Sequence, residues 1–346
     1  VIQINSKNRA ILSKSEIIMV NQSNIHSVQV PVIDFAPFWD GNYDSQLKVA
    51  QEIARACCEV GFFYLKNHGV SQDILQKAFA QCKNFFALPL QIKQQIPIEA
   101  GSRGYEKLES QTFDPNKAGD LKETFLCCRE LDPSDLKALE GHSYAVLATQ
   151  PNKWLPEYPE FREVSLQLID ACTQVTQKVL QAFALALDLP ENYFTNLHTT
   201  QNYIMRFLHY PALQEAPKPG QPRLGAHTDW GSVTLLFQDE AEGLEICTNW
   251  GEWVAAPPIP ETILVNTGDL MQLWTNDRFR STKHRVAVPS DFTTAKERYS
   301  IVCFGIPNYD AEISCIPSCV DVDSPLKYEP VVVGDYYMQK IRETFY

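Results

Sequence analysis

The sequence predicts an α+β fold in which helices flank a double-stranded β-helix, or jelly-roll, core. Three observations carry this. Residues 30–88 alternate strand-like and helix-like patterns, and residues 160–188 form one long amphipathic stretch. From residue 202 onward, at least eight short β-branched and aromatic runs are separated by Pro and Gly, the texture of a sandwich or barrel-like double sheet.

Taken in order, "VPVIDFAPF" (30–38) reads as a short strand. In "SQLKVAQEIARACCEVG" (45–61), Leu47, Val49, Ala50, Ile53, Ala54 and Cys57 recur at helical spacing, and Gly61 supplies a C-terminal stop. "GFFYLKNHG" is an aromatic-rich strand that turns at 67–69. "SQDILQKAFAQCKNFFAL" (71–88) predicts a second helix with Ser71 as its N-cap. Residues 96–150 are rich in Gly, Asp, Glu and Ser and weakly periodic, which suggests the lining or lid of a pocket. Leu168, Cys172, Val175, Val179 and Phe183 mark one stripe of a long helix that Pro190 ends. The strands then follow in "NYIMRFLHYP", "LGAHTD", "SVTLLFQ", "GLEIC", "GEWVAAP", "TILVNTG", "KHRVAVP" and "RYSIVCFGIP", and "GDYYMQKIRETFY" returns to a helical pattern. The expected organisation is an N-terminal tail (1–27) and a single catalytic domain (28–346). The domain divides into a helical and strand part (28–200), a jelly-roll core (about 201–310) and a C-terminal helix (about 334–346).

A net charge of −12 argues against nucleic acid or an anionic membrane as the main partner. No apolar run approaches the roughly 18 residues that span a bilayer, and the first residues lack the basic–apolar–small layout of a secretory signal. The ten cysteines are irregularly spaced with no CxxC, and Cys315 and Cys319 form only a CxxxC, so a reducing, cytoplasmic compartment is expected. A monomer acting on a small molecule fits this balance.

The stretch "AHTDWGS" (226–232) sets His227 and Asp229 two apart, so that in a strand both side chains leave one face. His284, in the strand-like "STKHRVAV", is a third candidate. Two imidazoles and a carboxylate on rigid strands can occupy one face of an octahedral metal and leave three positions open, as in non-haem Fe(II) oxygenases. A solvated or core-bonded pair is the plainer reading of HxD alone. "ERYSIVCF" then places Arg298 and Ser300 on one strand face. A guanidinium pairs bidentately with a carboxylate, and a serine hydroxyl beside it adds a donor. An inward Arg needs an anion, because an unpaired buried charge is costly. A surface Arg beside Lys296 and Glu297 is the alternative.

With these pieces in order, the chain resembles the Fe(II)/2-oxoglutarate-dependent dioxygenase superfamily and, within it, the isopenicillin N synthase-like group. "VPVIDF", "GFFYLKNHGV", "NYIMRFLHYP" and "GLEI…GEWVAAPPIPETILVNTGDLMQLWTNDRFRSTKHRV" match that group from about Val30 to the end of the chain. The resemblance implies His227, Asp229 and His284 as the catalytic iron ligands. It implies Arg298, Ser300 and Tyr210 as the residues that hold the distal carboxylate of 2-oxoglutarate. Fe(II), 2-oxoglutarate and O₂ are the implied cofactor and cosubstrates. The implied reaction hydroxylates, desaturates or cyclises a natural-product or amino-acid-like small molecule, releasing succinate and CO₂. Two departures from the group are a longer connection from His284 to Arg298 and Leu208 where the group carries an asparagine. For substrate contacts the resemblance and the strand pattern offer Arg206, Trp230, Tyr105, Phe125 and Phe304, with the C-terminal helix over the mouth. Two other readings stay open: an iron oxidase of the same family that works without 2-oxoglutarate, and a zinc-dependent hydrolase.

Overall fold

The computed structural model describes residues 29–98, 103–112, 118–130, 137, 140–142 and 144–345; the predicted tail at 1–27 lies outside them. Strand β1 (Val32–Asp34) leads to helix α1 (Tyr43–Glu59), whose Asn42 side chain accepts from the backbone amides of Asp44 and Ser45. Gly61 follows α1 with φ +77°, the left-handed turn that a Cβ disfavours. Strand β2 (Phe62–Lys66) and helix α2 (Gln72–Phe86) come next. Ser71 stands at the N-cap position of α2 as expected, but its hydroxyl makes no capping bond.

The described residues of 96–150, expected as the lining or lid of a pocket, include regular strands. They contribute strands β3 (Gly104–Glu106) and β4 (Glu123–Cys128), which continue the main sheet. Every residue of β4 is buried, so neither face is solvated and the polar–apolar alternation that betrays a strand is absent. Helix α3 (Pro159–Ala186) buries the foreseen stripe, with Leu168, Cys172, Val175, Val179 and Phe183 all closed to solvent.

The remaining strands are β5 (Ile204–Tyr210), β6 (Leu224–His227), β7 (Val233–Gln238), β8 (Leu244–Cys247), β9 (Trp253–Ala255) and β10 (Thr262–Thr267). Helix α4 (Asp269–Trp274) precedes β11 (His284–Val286) and β12 (Arg298–Gly305). The pair β13 (Glu312–Ile313) and β14 (Val331–Val332) then leads to helix α5 (Val333–Phe345).

Two sheets make the core. The larger runs β1-β2-β10-β7-β12-β5-β4-β3 and the smaller β6-β11-β8-β9, and all their pairings but β1 with β2 are antiparallel. This is the jelly roll expected from the run of short strands. The two faces of the larger sheet belong to different layers. Phe63, Leu65, Leu235, Val265, Ile301, Phe207 and Phe125 pack against the helices. Phe62, Tyr64, Leu264, Leu236, Leu208 and Tyr210 pack against Leu244, Ile246 and Val286 of the smaller sheet. The period of two assigns each residue to one layer or the other.

Candidate functional site

His227 ends β6 and His284 begins β11, and the two residues are register partners across those strands. Their rings lie 4.3 Å apart between centroids. Asp229 is not on the strand, contrary to the expected HxD geometry. The strand stops at His227, and Asp229 sits in the loop beyond it. The loop brings it to the same point: Asp229 Oδ1 is 3.7 Å from His227 Nε2 and 3.6 Å from His284 Nε2. Donor atoms of all three lie within 4.8 Å of one another, an arrangement that can hold a metal ion.

The surroundings orient each donor. His227 Nδ1 faces Gly225 O at 2.8 Å and His284 Nδ1 faces Thr282 O at 3.1 Å. A carbonyl only accepts, so Nδ1 carries the proton in both rings and Nε2 is left bare toward the centre. Thr234 Oγ1 (2.6 Å) and Asn266 Nδ2 (2.7 Å) both donate to Asp229 Oδ2, which leaves Oδ1 toward the imidazoles. Burial, with the charge of His284 second, brings the His227 imidazole down to about 3, so it is neutral and able to ligate. Burial alone would raise the Asp229 carboxyl, but the two imidazoles and the Asn266 and Thr234 bonds outweigh it and hold it below the usual range. The loop itself is held by backbone. Asp269 N donates to Asp229 O at 2.7 Å, and a Cβ on Gly268 would stand 2.4 Å from Gly231 O and 2.8 Å from Asp229 O.

Arg298 lies on the inner face of β12, opposite Tyr210 of β5, and is 1% exposed. Its Nη1 donates to Ser300 Oγ (3.2 Å), its Nη2 to Gln238 Oε1 (2.9 Å), and its guanidinium lies 4.9 Å from the Tyr210 ring centroid. Arg298 Nε is buried with no hydrogen-bond partner, and no carboxylate pairs with this guanidinium among the described residues. A buried cation with donors to spare fits an anionic ligand. Burial chiefly raises the Tyr210 hydroxyl, so it stays a donor.

Several supports give little or no warning in the sequence. Arg223, 2% exposed, donates through Nη2 to the carbonyls of Tyr210 (2.7 Å), Lys296 (2.9 Å) and Pro211 (3.1 Å). Its guanidinium also lies 5.5 Å from the Tyr210 ring. Burial, then the charge of Arg298, brings it down to about 10. It sits in the turn-like "QPRLG" and gives no signal. Thr234 and Asn266 leave a faint one, as lone polar residues inside the apolar runs "SVTLLFQ" and "TILVNTG".

The expected substrate contacts divide. Arg206 lies on the inner face between Val302 of β12 and Leu126 of β4. Phe304 is the register partner of Thr234, the residue that holds Asp229. Trp230 is half-buried against Tyr337 of α5, with ring centroids 5.9 Å apart, so α5 does reach the metal loop. Tyr105 and Phe125 do not belong with these. They pair with each other and with Phe207 across β3, β4 and β5, on the helix face. Phe125 packs on Phe85 and Phe161 (both 5.0 Å), and the Tyr105 hydroxyl donates to Glu123 Oε2 (2.5 Å). Both side chains are core, because strand alternation sends them away from the cluster. The inner face of that hairpin carries other groups: Glu106, Thr124 and, just before β4, Asp120 and Lys122, all buried. Burial raises the Asp120 carboxyl to about 6 and lowers the Lys122 ammonium to about 8.

Two family models match the chain: the N-terminal domain described for a non-haem dioxygenase in morphine synthesis, over residues 30–157, and the 2OG-Fe(II) oxygenase superfamily, over 196–307. A 2-oxoglutarate-Fe(II) type oxidoreductase, hxnY, of Emericella nidulans is 34% identical, with 91% of this chain and 90% of the relative covered. The proline hydroxylase buaE of Petromyces alliaceus is 31% identical over 92% of this chain and 100% of its own length. Among solved structures, that of a full-length Neurospora crassa protein in complex with alpha-KG and thymine superposes with a TM-score of 0.80. It is 33% identical and covers 92% of this chain and 98% of its own.

Proposed function

This chain belongs to the 2OG-Fe(II) oxygenase superfamily, and we propose from that premise which of its residues perform the chemistry. The protein is an Fe(II)- and 2-oxoglutarate-dependent oxygenase. His227, Asp229 and His284 hold the iron, and Arg298, Ser300 and Tyr210 bind the distal carboxylate of 2-oxoglutarate. The observation that carries the assignment is the buried Arg298 guanidinium, with an unused Nε and no described carboxylate, beside the converging donors of His227, Asp229 and His284.

Iron bound there, with 2-oxoglutarate and O₂, supplies the oxidising power, and the cosubstrate leaves as succinate and CO₂. The chain's own residues do the rest. The Gly225 and Thr282 carbonyls fix both imidazoles with Nε2 toward the centre. Thr234 and Asn266 leave Asp229 one oxygen for the ion. Arg298 and Ser300 orient the cosubstrate, while Leu208, Leu236, Leu264 and Phe62 keep water from the inner layer. The substrate is a small molecule, a reading supported by the thymine complex of the Neurospora crassa protein and by the proline hydroxylase among the relatives. It lies against β4, β5 and β12, with Arg206, Phe304 and Trp230 beside it. A reducing, cytoplasmic setting is supported by ten cysteines that are all free thiols. No helix among the described residues is long and apolar enough to cross a membrane.

The test is anaerobic addition of Fe(II) and then 2-oxoglutarate to the full chain. A visible metal-to-ligand charge-transfer band should appear in the wild type, and should be lost in Asp229→Ala and weakened in Arg298→Gln. A wild-type protein that shows no band would overturn the assignment.

A further inference from the structure

The wall built by β3, β4 and β5 carries four charged side chains that the iron and cosubstrate contacts leave unused. Three have partners of their own. Glu106 accepts from Thr124 Oγ1 (3.0 Å), Asp120 accepts from Gly225 N (3.0 Å), and Lys122 donates to Gln111 Oε1 (2.7 Å). Asp120 also keeps a buried Oδ2 with no hydrogen-bond partner, and Arg206 is the cation in the same position. Its Nε is closed to solvent with no hydrogen-bond partner, and no described carboxylate pairs with it. Its register partners on the two neighbouring strands, Leu126 and Val302, are apolar. Among the charges that act on Lys122, Glu106 and Asp120 favour its ammonium, whereas Arg206 opposes it. Asp120 also feels the charge of Arg206, but no described carboxylate lies within ion-pairing distance of the guanidinium, and its Nε stays without a partner.

Its place in the register separates it from the cosubstrate. Arg298 faces Tyr210, four residues further along β5, which at about 3.3 Å per residue is roughly 13 Å away. The row next to Arg206 is Ile204–Phe304–Thr234, and Thr234 holds Asp229. Arg206 thus stands one row from the level of the metal ligands and two strands aside from Thr234, about 10 Å by strand spacing. That gap accommodates one ring or a short chain.

Resting on the assignment above, we propose that Arg206, flanked by Lys122, clamps a carboxylate of the substrate, so that this enzyme oxidises a small carboxylic acid at a carbon one ring or short chain away from the acid group. The planar fork of an arginine pairs with both oxygens of a carboxylate. Leu126, Val302 and Phe304 provide the apolar surface for the body of the molecule between the clamp and the metal.

The experiment is isothermal titration calorimetry on the full chain, loaded anaerobically with Fe(II) and 2-oxoglutarate. The probes are benzoate, phenylacetate and cyclohexanecarboxylate, each against its primary amide. At least one acid should bind about 30-fold or more tightly than its amide, as expected when a charge-assisted pair replaces a neutral one. Arg206→Gln should erase that preference and Arg206→Lys should restore part of it. Lys122→Met should reduce it. Both Arg206 variants should keep wild-type 2-oxoglutarate affinity, which also shows that they are folded. Equal binding of acid and amide, a preference that survives in Arg206→Gln, or no binding by any acid would each overturn the proposal. Failure of the wild type to bind 2-oxoglutarate would instead overturn the assignment of the site.

Discussion

Strand β5 separates two charged clusters that obey opposite rules. On the helix face, Glu123 accepts from Lys93 Nζ (2.7 Å) and Tyr105 (2.5 Å) and lies 2.7 Å from His209 Nδ1. His209 Nε2 then meets Glu297 Oε1 (2.9 Å), which also accepts from Tyr299 (2.9 Å). Each of these groups has a hydrogen-bond partner. On the inner face, Arg298 and Arg206 each bury an Nε with no partner, and Asp120 buries an Oδ2 with none. Burying a charge without pairing it is costly. The helix-face cluster is complete as it stands and ties β3, β4, β5 and β12 to Lys93, beyond α2. The inner-face cluster keeps buried polar atoms without partners. Satisfaction of buried polar atoms thus distinguishes a structural network from a binding site a few ångströms away on the same strand.

The sharpest test of that contrast is a pair of substitutions with opposite effects. Arg298→Met should weaken 2-oxoglutarate by about 30-fold or more, since loss of a buried charge-pair partner costs roughly 2–5 kcal/mol, while the melting temperature of the ligand-free protein stays level or rises. Glu123→Ala should do the reverse. It strands Lys93 and His209, so the protein should lose about 3–5 kcal/mol in denaturant titrations, with 2-oxoglutarate affinity nearly unchanged. Loss of stability in both variants would erase the distinction.

A smaller effect separates the two faces by pH. Burial raises the folded Asp120 carboxyl to about 6, whereas an unfolded aspartate ionises near pH ~3.9. Between these values the folded state holds a proton that the unfolded state has released, so Asp120 makes stability fall as pH rises from about 4 to 6. Glu123 has the opposite sign. Burial would raise it, but the bonds from His209, Lys93 and Tyr105 hold it below the usual value. Its contribution is full above pH ~4.3 and disappears as pH falls below that. Melting curves against pH should show Asp120→Asn gaining on the wild type between pH 4 and 6, and Glu123→Gln closing its deficit only in stronger acid.

The smallest expected change comes from Tyr105→Phe, which removes one hydrogen bond to Glu123 and should cost about 1–2 kcal/mol of stability, with substrate KM unaltered. A KM that moved with Tyr105 would return that residue to the pocket from which its strand face excludes it.

Much of this architecture is legible because local signals and contacts coincide. The HxD stretch, the later histidine and the RxS pair each sit in or beside short strands; the first two bring His227, Asp229 and His284 together, and the RxS pair lies on the face of β12 opposite Tyr210 and Leu208. The helical stripes along α1, α2 and α3 fix the covering layer in the same way. Asp229 shows where the inference from spacing stops: the strand ends two residues early, and a loop delivers the carboxylate. The resemblance offers Tyr105 and Phe125 as pocket residues, and the pattern of their strands does nothing to correct it. "ETFLCC" is buried on both sides, so its sequence carries no hint of which residues face which way, and a one-residue error reverses the answer. Arg223 and Asn266 act through partners 12 to 73 residues away, which no window of sequence displays.

The glycine contact beneath Asp229 has a further consequence for how such an enzyme can diversify. Gly268 and Gly231 meet backbone to backbone, so any side chain added at Gly268 pushes the carboxylate loop itself. That wall admits almost no variation without moving Asp229. The wall of β3, β4 and β5 is built from side chains instead, and exchanging Arg206, Lys122 or Leu126 leaves the loop untouched. New substrates can therefore be acquired by mutation on one side of the cavity while the oxidising machinery on the other side stays fixed, and a directed-evolution library for this protein belongs on the hairpin, not around the metal.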